Sequence, residues 1–217
     1  MIQYLSNNHE VVLAALRQHI YLALLPVLIG FALSLPIGWL GVRFPWFYHP
    51  LVNVCGVLYS IPSLALFVFL PVLLGTKILS PANIVVALTI YTVALLARTV
   101  ADGLRAVDPI VVQSATAMGY RRTRRLLDVE LPVALPVILA GLRVATVSNI
   151  SLVSVGALIG IGGLGQLFTR GFQLFYLEPI IIGIILSVLL AGIADLIIVL
   201  IQRAVTPWTK FQHGGTA

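Results

Sequence analysis

Five long, mostly apolar stretches recur along the chain, at 19–41, 50–75, 81–100, 135–159 and 179–201. A helix needs roughly 20 such residues to cross about 30 Å of hydrocarbon. Inside that layer every backbone N–H and C=O must find a partner within the protein, which restricts long uninterrupted runs of this kind to helices. Only 9% of residues are charged and mean hydropathy is +1.08, whereas soluble domains carry about 25% charged residues. There is too little polar surface here to face water all round. The expected fold is an all-α membrane protein with about five transmembrane helices.

Residues 1–18 read as an N-terminal interfacial segment, in which "NNHEVVLAALRQ" forms a short helix with Asn7 and Glu10 at capping-box spacing. The first basic residue is Arg17. A cleaved leader would begin with positive charge, so the first span is expected to be retained. In the second stretch, "YSIPSLALFVFLP" places Pro62 and Pro71 inside the apolar run. The reading is a kinked helix or two shorter segments. Residues 19–204 then form one transmembrane domain, and 205–217 a tail.

Charge sets the expected direction. If all five stretches cross, Arg43, Arg105, Arg121, Arg122, Arg124, Arg125, Arg203 and Lys210 share one side, against Arg17, Lys77 and Arg170 on the other. Cytoplasmic loops carry the excess of Lys and Arg. The N-terminus is therefore expected outside and the C-terminus in the cytoplasm. The net charge of +6 is explained by this bias, and nucleic acid is not an expected partner.

The lone Cys55 excludes an intramolecular disulfide and reads as a small buried hydrophobe. His9, His19, His49 and His213 have no metal-ligand spacing and read as interfacial or loop residues. No metal site and no catalytic residue is expected. Two charges lie within spans, Arg143 and Asp195. Intramembrane charges face protein or water and find partners, so an ion pair between them is expected, with Asp102 the rival partner. Span four, "RVATVSNISLVSVG", is the most polar, and Ser148 and Asn149 are candidates for a translocation pathway or for interhelical hydrogen bonding. Tyr59, Ser60 and Ser63 are further pathway candidates. No aromatic cage for a quaternary ammonium group is evident.

The one long loop, 101–134, contains "QSATAMGYRRTRRLLDVELP". Asp108 suits a helix N-cap with Pro109 at the first position, and Gly119 suits a helix end. A second short helix is expected over 121–129, before Pro132 turns the chain into span four. The loop thus reads as a helical elbow whose small residues Ser114, Ala115 and Ala117 permit close approach by another protein. By composition alone its arginines read first as topological, with binding of lipid headgroups the second reading.

This spacing resembles the EAA loop of binding-protein-dependent ABC importer permeases, whose pattern is Glu-Ala-Ala, three residues, Gly, nine residues, Ile, any residue, Leu-Pro. Gln113, Ser114 and Ala115 occupy the first three places, Gly119 the glycine, and Val129, Glu130, Leu131 and Pro132 the end. Gln113 departs from the pattern's acid, Ser114 from its alanine, and Val129 from its isoleucine. "LYSIPSLALFVFLPVLLG", "GLRAVDP", "ELPVALPVILAGLRVAT" and "ALIGIGGLGQLF" extend the likeness to the osmoprotectant subfamily, which handles glycine betaine, choline, carnitine or proline-like solutes.

The resemblance implies that Gln113, Ser114, Ala115, Met118, Gly119, Tyr120, Leu131 and Pro132 belong to a cytoplasmic coupling elbow that docks on a separate ABC ATPase dimer. It also implies a second permease subunit, the same or a related chain, and an extracytoplasmic solute-binding protein. Membrane lipid is a further expected partner. The sequence has no phosphate loop of the form G-x-x-x-x-G-K-[ST], so the chain is expected to bind no cofactor, with ATP held by the partner. "GIGGLG", Gly160 to Gly165, fits G-x-G-x-x-G but lacks the strand that a dinucleotide site requires. It reads as a flexible end to span four, and Gly156 with Gly160 has the spacing of close helix packing. Two rival functions remain: an ion-coupled secondary carrier, which would usually show more spans and internal repeats, and a membrane scaffold that transports nothing.

Overall fold

The computed structural model describes residues 2–208 and, among these, contains helices and connecting turns with no strand. Lys210, His213 and the rest of the tail from 209 lie outside the described residues. In chain order the helices are α1 (Ile2–Arg43), α2 (Pro45–Ser60), α3 (Ser63–Leu74), α4 (Pro81–Arg105), α5 (Pro109–Ala117), α6 (Arg122–Arg125), α7 (Leu131–Gly156), α8 (Gly165–Gln173) and α9 (Leu177–Val205).

Helix α4 is the centre. Small residues let its neighbours approach closely, the usual means of packing helices where lipid is as apolar as leucine. A Cβ at Gly30 of α1 would stand 2.5 Å from the Thr92 side chain, and one at Gly38 would stand 2.6 Å from Val100. Both pairs ascend together, so α1 and α4 run parallel. On the other side, a Cβ at Gly141 of α7 would stand 2.6 Å from Thr99, and Gly156 abuts Ile84. Those pairs ascend in opposite senses, so α7 is antiparallel to α4.

The parallel pairing of α1 and α4 requires the chain between them to cross back. It does so as α2 and α3, which are bent by 100° at their junction. Of the two arrangements expected for this stretch, the structure has two short helices. Pro62 offers no N–H, and the residue before a proline is held extended. Ile61 accordingly has φ −65° and ψ 131°. Its free carbonyl accepts from the Tyr91 hydroxyl of α4. Pro71 causes no break and lies buried inside α3.

Three boundaries differ from the sequence expectation. The helix of 7–18 does not end before span one. From residue 9 it is continuous with the span in a helix that runs to Arg43, about 52 Å long at 1.5 Å per residue. Its break falls at Asn8 (φ −128°, ψ 20°) instead of a cap at Asn7. The N-terminal portion packs Tyr4, Val12 and Ala15 against Leu164, Leu167 and Ile182, so an apolar stripe on one face keeps it helical beyond the span.

The second difference concerns the elbow. No turn separates 121–129 from span four. A π-helical turn over Leu126–Glu130 joins α6 directly to α7. Leu131 N–H bonds to the Leu126 carbonyl, one residue further back than in an α-helix. The widened turn precedes Pro132, whose ring would clash with the carbonyl four residues earlier in a regular helix.

The third is the Gly160–Gly165 loop. It is not a flexible end: Ile161 through Gly165 are all buried. Gly160 (φ 82°) and Gly163 (φ 73°) make the turns, so Gly160 lies off the helical face and forms no packing pair with Gly156.

Candidate functional site

The elbow is built by local chemistry. The Asp108 carboxylate accepts from the Ile110 N–H at 2.7 Å, and Pro109 follows in the first turn. At the other end, Gly119 N–H reaches the Thr116 carbonyl and Tyr120 N–H reaches the Ala115 carbonyl, at 3.0 and 3.1 Å. This is a Schellman closure around a left-handed Gly119 with φ 85°. A helix of nine residues is thereby fixed at both ends.

The two sides of α5 differ. Ala115 is buried, and Gln113, itself exposed, borders a cavity against the spans. Outward stand Ile110, Val111, Ser114, Ala117 and Met118, the last 71% exposed. At helical spacing these make one apolar, small-residue ridge. Leu131 and Pro132 are not on that ridge and open α7. The elbow is braced to α7 by Arg125, whose Nε donates to Glu130 Oε1 at 2.6 Å and whose Nη1 donates to Thr116 Oγ1 at 2.7 Å. That pair is only 18% and 12% exposed. Arg124, by contrast, pairs in the open with Asp128 at 3.1 Å.

The polar candidates separate into two groups. Tyr59 stacks edge-on against Tyr91 at 6.0 Å, and both line one narrow cleft with Thr92, Ser148 and Asn149. Asn149 is buried and donates to Thr92 Oγ1 at 2.9 Å. The cleft encloses about 10 Å³, room for one water and no solute. Ser60 is instead turned back onto the Val57 carbonyl at 2.8 Å, and Ser63 opens α3.

Arg143 and Asp195 meet. Nε donates to Oδ1 at 2.6 Å and Nη2 to Oδ2 at 2.9 Å, a bidentate fork between α7 and α9. Asp102 takes other partners, the Tyr48 hydroxyl at 2.6 Å and Arg98 at 3.5 Å. Cys55 is buried among Leu51, Ala94, Ala97 and Ala101. Among the described residues no His, Cys, Asp and Glu cluster could hold a metal.

Two features escaped the sequence reading. Arg98 stands well inside α4 with its side chain 57% exposed. His19 is no loop residue: it is wholly buried. Its Nδ1 accepts the Leu164 N–H at 3.1 Å and its Nε2 lies 2.9 Å from the Ile150 carbonyl. Acceptance at Nδ1 places the proton on Nε2, which then donates. Gln18 Oε1 accepts the Gly163 N–H at 3.2 Å. The Gln-His pair opening an apolar span was the only trace of this clamp in the sequence.

Residues 30–207 match the model of the family described as "Binding-protein-dependent transport system inner membrane component". The chain belongs to this family. It is accordingly a membrane-embedded transport subunit. The osmoprotectant import permease protein OsmW of Salmonella typhimurium is 33% identical, across 95% of this chain and 97% of that one. The choline transport system permease protein OpuBB of Bacillus subtilis and the carnitine transport permease protein OpuCB of Listeria monocytogenes are each 30% identical, across 95% of this chain and 94% of theirs. In fold, the chain matches an inward-facing structure of the MetNI methionine ABC transporter with a TM-score of 0.83 at 23% identity, covering 92% of this chain and 98% of that one.

Proposed function

We propose that the chain is the permease subunit of an ATP-driven importer of osmoprotectants of the glycine betaine, choline and carnitine class. The observation that carries the coupling half of this reading is the elbow. It presents a capped apolar ridge outward and is braced through Arg125 and Glu130 to α7. A force applied to Met118 and its neighbours would reach the span that carries Ser148, Asn149 and Arg143. The basic end is cytoplasmic, so that a separate ATPase dimer meets the ridge, ATP stays on that partner, and this chain binds no cofactor. A solute-binding protein delivers from the opposite side.

The names of the full-length relatives support the solute class, and so does the chemistry of the cleft. Tyr59, 46% exposed at that cleft, offers an aromatic ring to a quaternary ammonium group, whereas Tyr91 behind it is buried. One chain encloses no solute-sized space there, so a second permease completes the path. Vesicles carrying the chain with its copurifying subunits and binding protein should hydrolyse ATP faster when glycine betaine, choline or carnitine is added. A copurifying ATPase that none of these solutes stimulates would remove the osmoprotectant assignment and leave the importer. Absence of any ATPase would remove both.

A further inference from the structure

A cavity of about 360 Å³ opens at the basic end, between the last turns of α1 and α4 and the inner side of the elbow. Four arginines line it: Arg43, Arg105, Arg122 and Arg125. Glu130 is the one carboxylate among its lining residues, and it is taken by Arg125 at 2.6 Å. Arg105 lies 3.9 Å over the Tyr48 ring, and Arg43 lies 5.6 Å from the Phe44 ring centroid. Those contacts orient the guanidinium groups without cancelling their charge. Three positive charges therefore face one cavity whose described lining residues hold no acid free to balance them. Gln113 also lines it. This is the place where the loop pattern described above has an acid, so the side chain that could supply the counter-charge is an amide.

We infer that this cavity is a binding site for a phosphate-bearing anion, the headgroup of an anionic lipid or a soluble phosphate. Arginine forks match phosphate oxygens, and excess positive charge in a recess holds an anion more firmly than the same charge spread on a surface. Trp39 and Val42 form part of the wall at the end of a membrane-spanning helix. Tryptophan favours the level where hydrocarbon meets headgroups. An anion seated there would join α1, α4, α5 and α6, so its presence would stiffen the elbow's mount. The inference requires only that this end meet a membrane surface and is independent of the solute assignment.

Trp39 supplies the probe. In the full chain carrying Trp46→Phe and Trp208→Phe, brominated phosphatidylglycerol in vesicles is expected to quench Trp39 several-fold more effectively than brominated phosphatidylcholine. Each arginine near an anionic surface contributes about fivefold to such a preference, so Arg43→Gln with Arg122→Gln should bring it close to parity. Gln113→Glu, which adds only a carboxylate, should lower it in the same direction and keeps the test open if the double variant fails to fold. Arg17→Gln, about 39 Å from Arg43 along α1, should leave it unchanged. Millimolar inorganic phosphate that abolishes the preference would identify a soluble anion as the ligand; insensitivity to phosphate would identify lipid. Equal quenching by the two lipids, with no response of Trp39 to phosphate, would overturn the site. So would a lipid preference that survives both sets of substitutions.

Discussion

Helix α7 leaves the bundle at both ends through a connection that turns on left-handed glycines, yet the two connections are built oppositely. At the basic end, Gly119 has open space around the position a Cβ would take, and the elbow carries its apolar ridge outward. At the other end, Gly163 is packed under His19 and Val153, and every residue from Ile161 to Gly165 is buried. The elbow is held to its own helix by Arg125 and Glu130. The far loop is held to a different helix, α1, by Gln18 and His19. One end is a handle braced to α7, the other a clamp that seals against α1. The contrast can be attacked residue by residue.

Of the two ends, the larger effect is expected at the clamp. His19→Ala strands the buried Leu164 N–H and removes a donor from the Ile150 carbonyl. A buried donor left unsatisfied costs about 1–3 kcal/mol, and the emptied volume adds to that. Stability in detergent should fall by about 3 kcal/mol on denaturant unfolding, more than for any elbow substitution. A loss under about 1 kcal/mol would mean that the loop is not held by this ring.

Next is the brace. Arg125→Ala leaves Glu130 at 12% exposure without its partner. Breaking a fully buried pair costs about 3–5 kcal/mol, and this one lies near water, so about 2 kcal/mol is expected. Thr116→Val leaves the ion pair and removes the bond that Arg125 donates to the hydroxyl, together with the hydroxyl's own bond to the Val112 carbonyl, and should cost about 1 kcal/mol. Under the proposed function, Arg125→Ala should also lower solute-stimulated hydrolysis more than basal hydrolysis, because the handle is loosened from α7. Equal losses in both would show that the brace stabilises without transmitting.

Between the two ends lies the fork from Arg143 to Asp195. Arg143→Asp alone, or Asp195→Arg alone, should abolish accumulation of folded protein or transport, since like charges would meet inside the membrane. Exchange of both should restore most of what either single change removes. A double variant no better than the singles would show that each residue acts through other partners.

What the sequence disclosed follows the range of the interactions. The spans were legible because hydropathy is additive along a helix. The elbow was legible because Asp108, Pro109 and Gly119 act on backbone within a few residues of themselves. The continuity through Pro132 was hidden because a proline marks equally a helix start and a break, and only the π turn before it distinguishes them. His19 joins residues 131 and 145 positions away, so no local pattern could report it. Arg143 and Asp195 are 52 apart. They were still paired on paper, because intramembrane charges are few and each needs a partner. That reasoning passes over Arg98, whose nearest carboxylate, Asp102, already accepts from Tyr48.

One change made at both ends sharpens the comparison most. Gly119→Ala and Gly163→Ala impose the same chemical change on residues with φ of 85° and 73°. Each forces an alanine into the left-handed region, at about 1–2 kcal/mol. At Gly119 nothing lies within 4 Å of the new Cβ, so that backbone cost should be the whole of the loss. At Gly163 the new Cβ would lie 2.8 Å from His19 Nδ1 and 3.2 Å from Val153 Cγ1, which forces the clamp itself apart. The second variant should therefore lose more stability than the first. The difference should largely vanish in a His19→Ala background, because the obstructing ring is gone. If instead the two alanines cost the same with His19 present, the far loop is as free as the elbow, and the division of α7 into a clamped end and a handle fails.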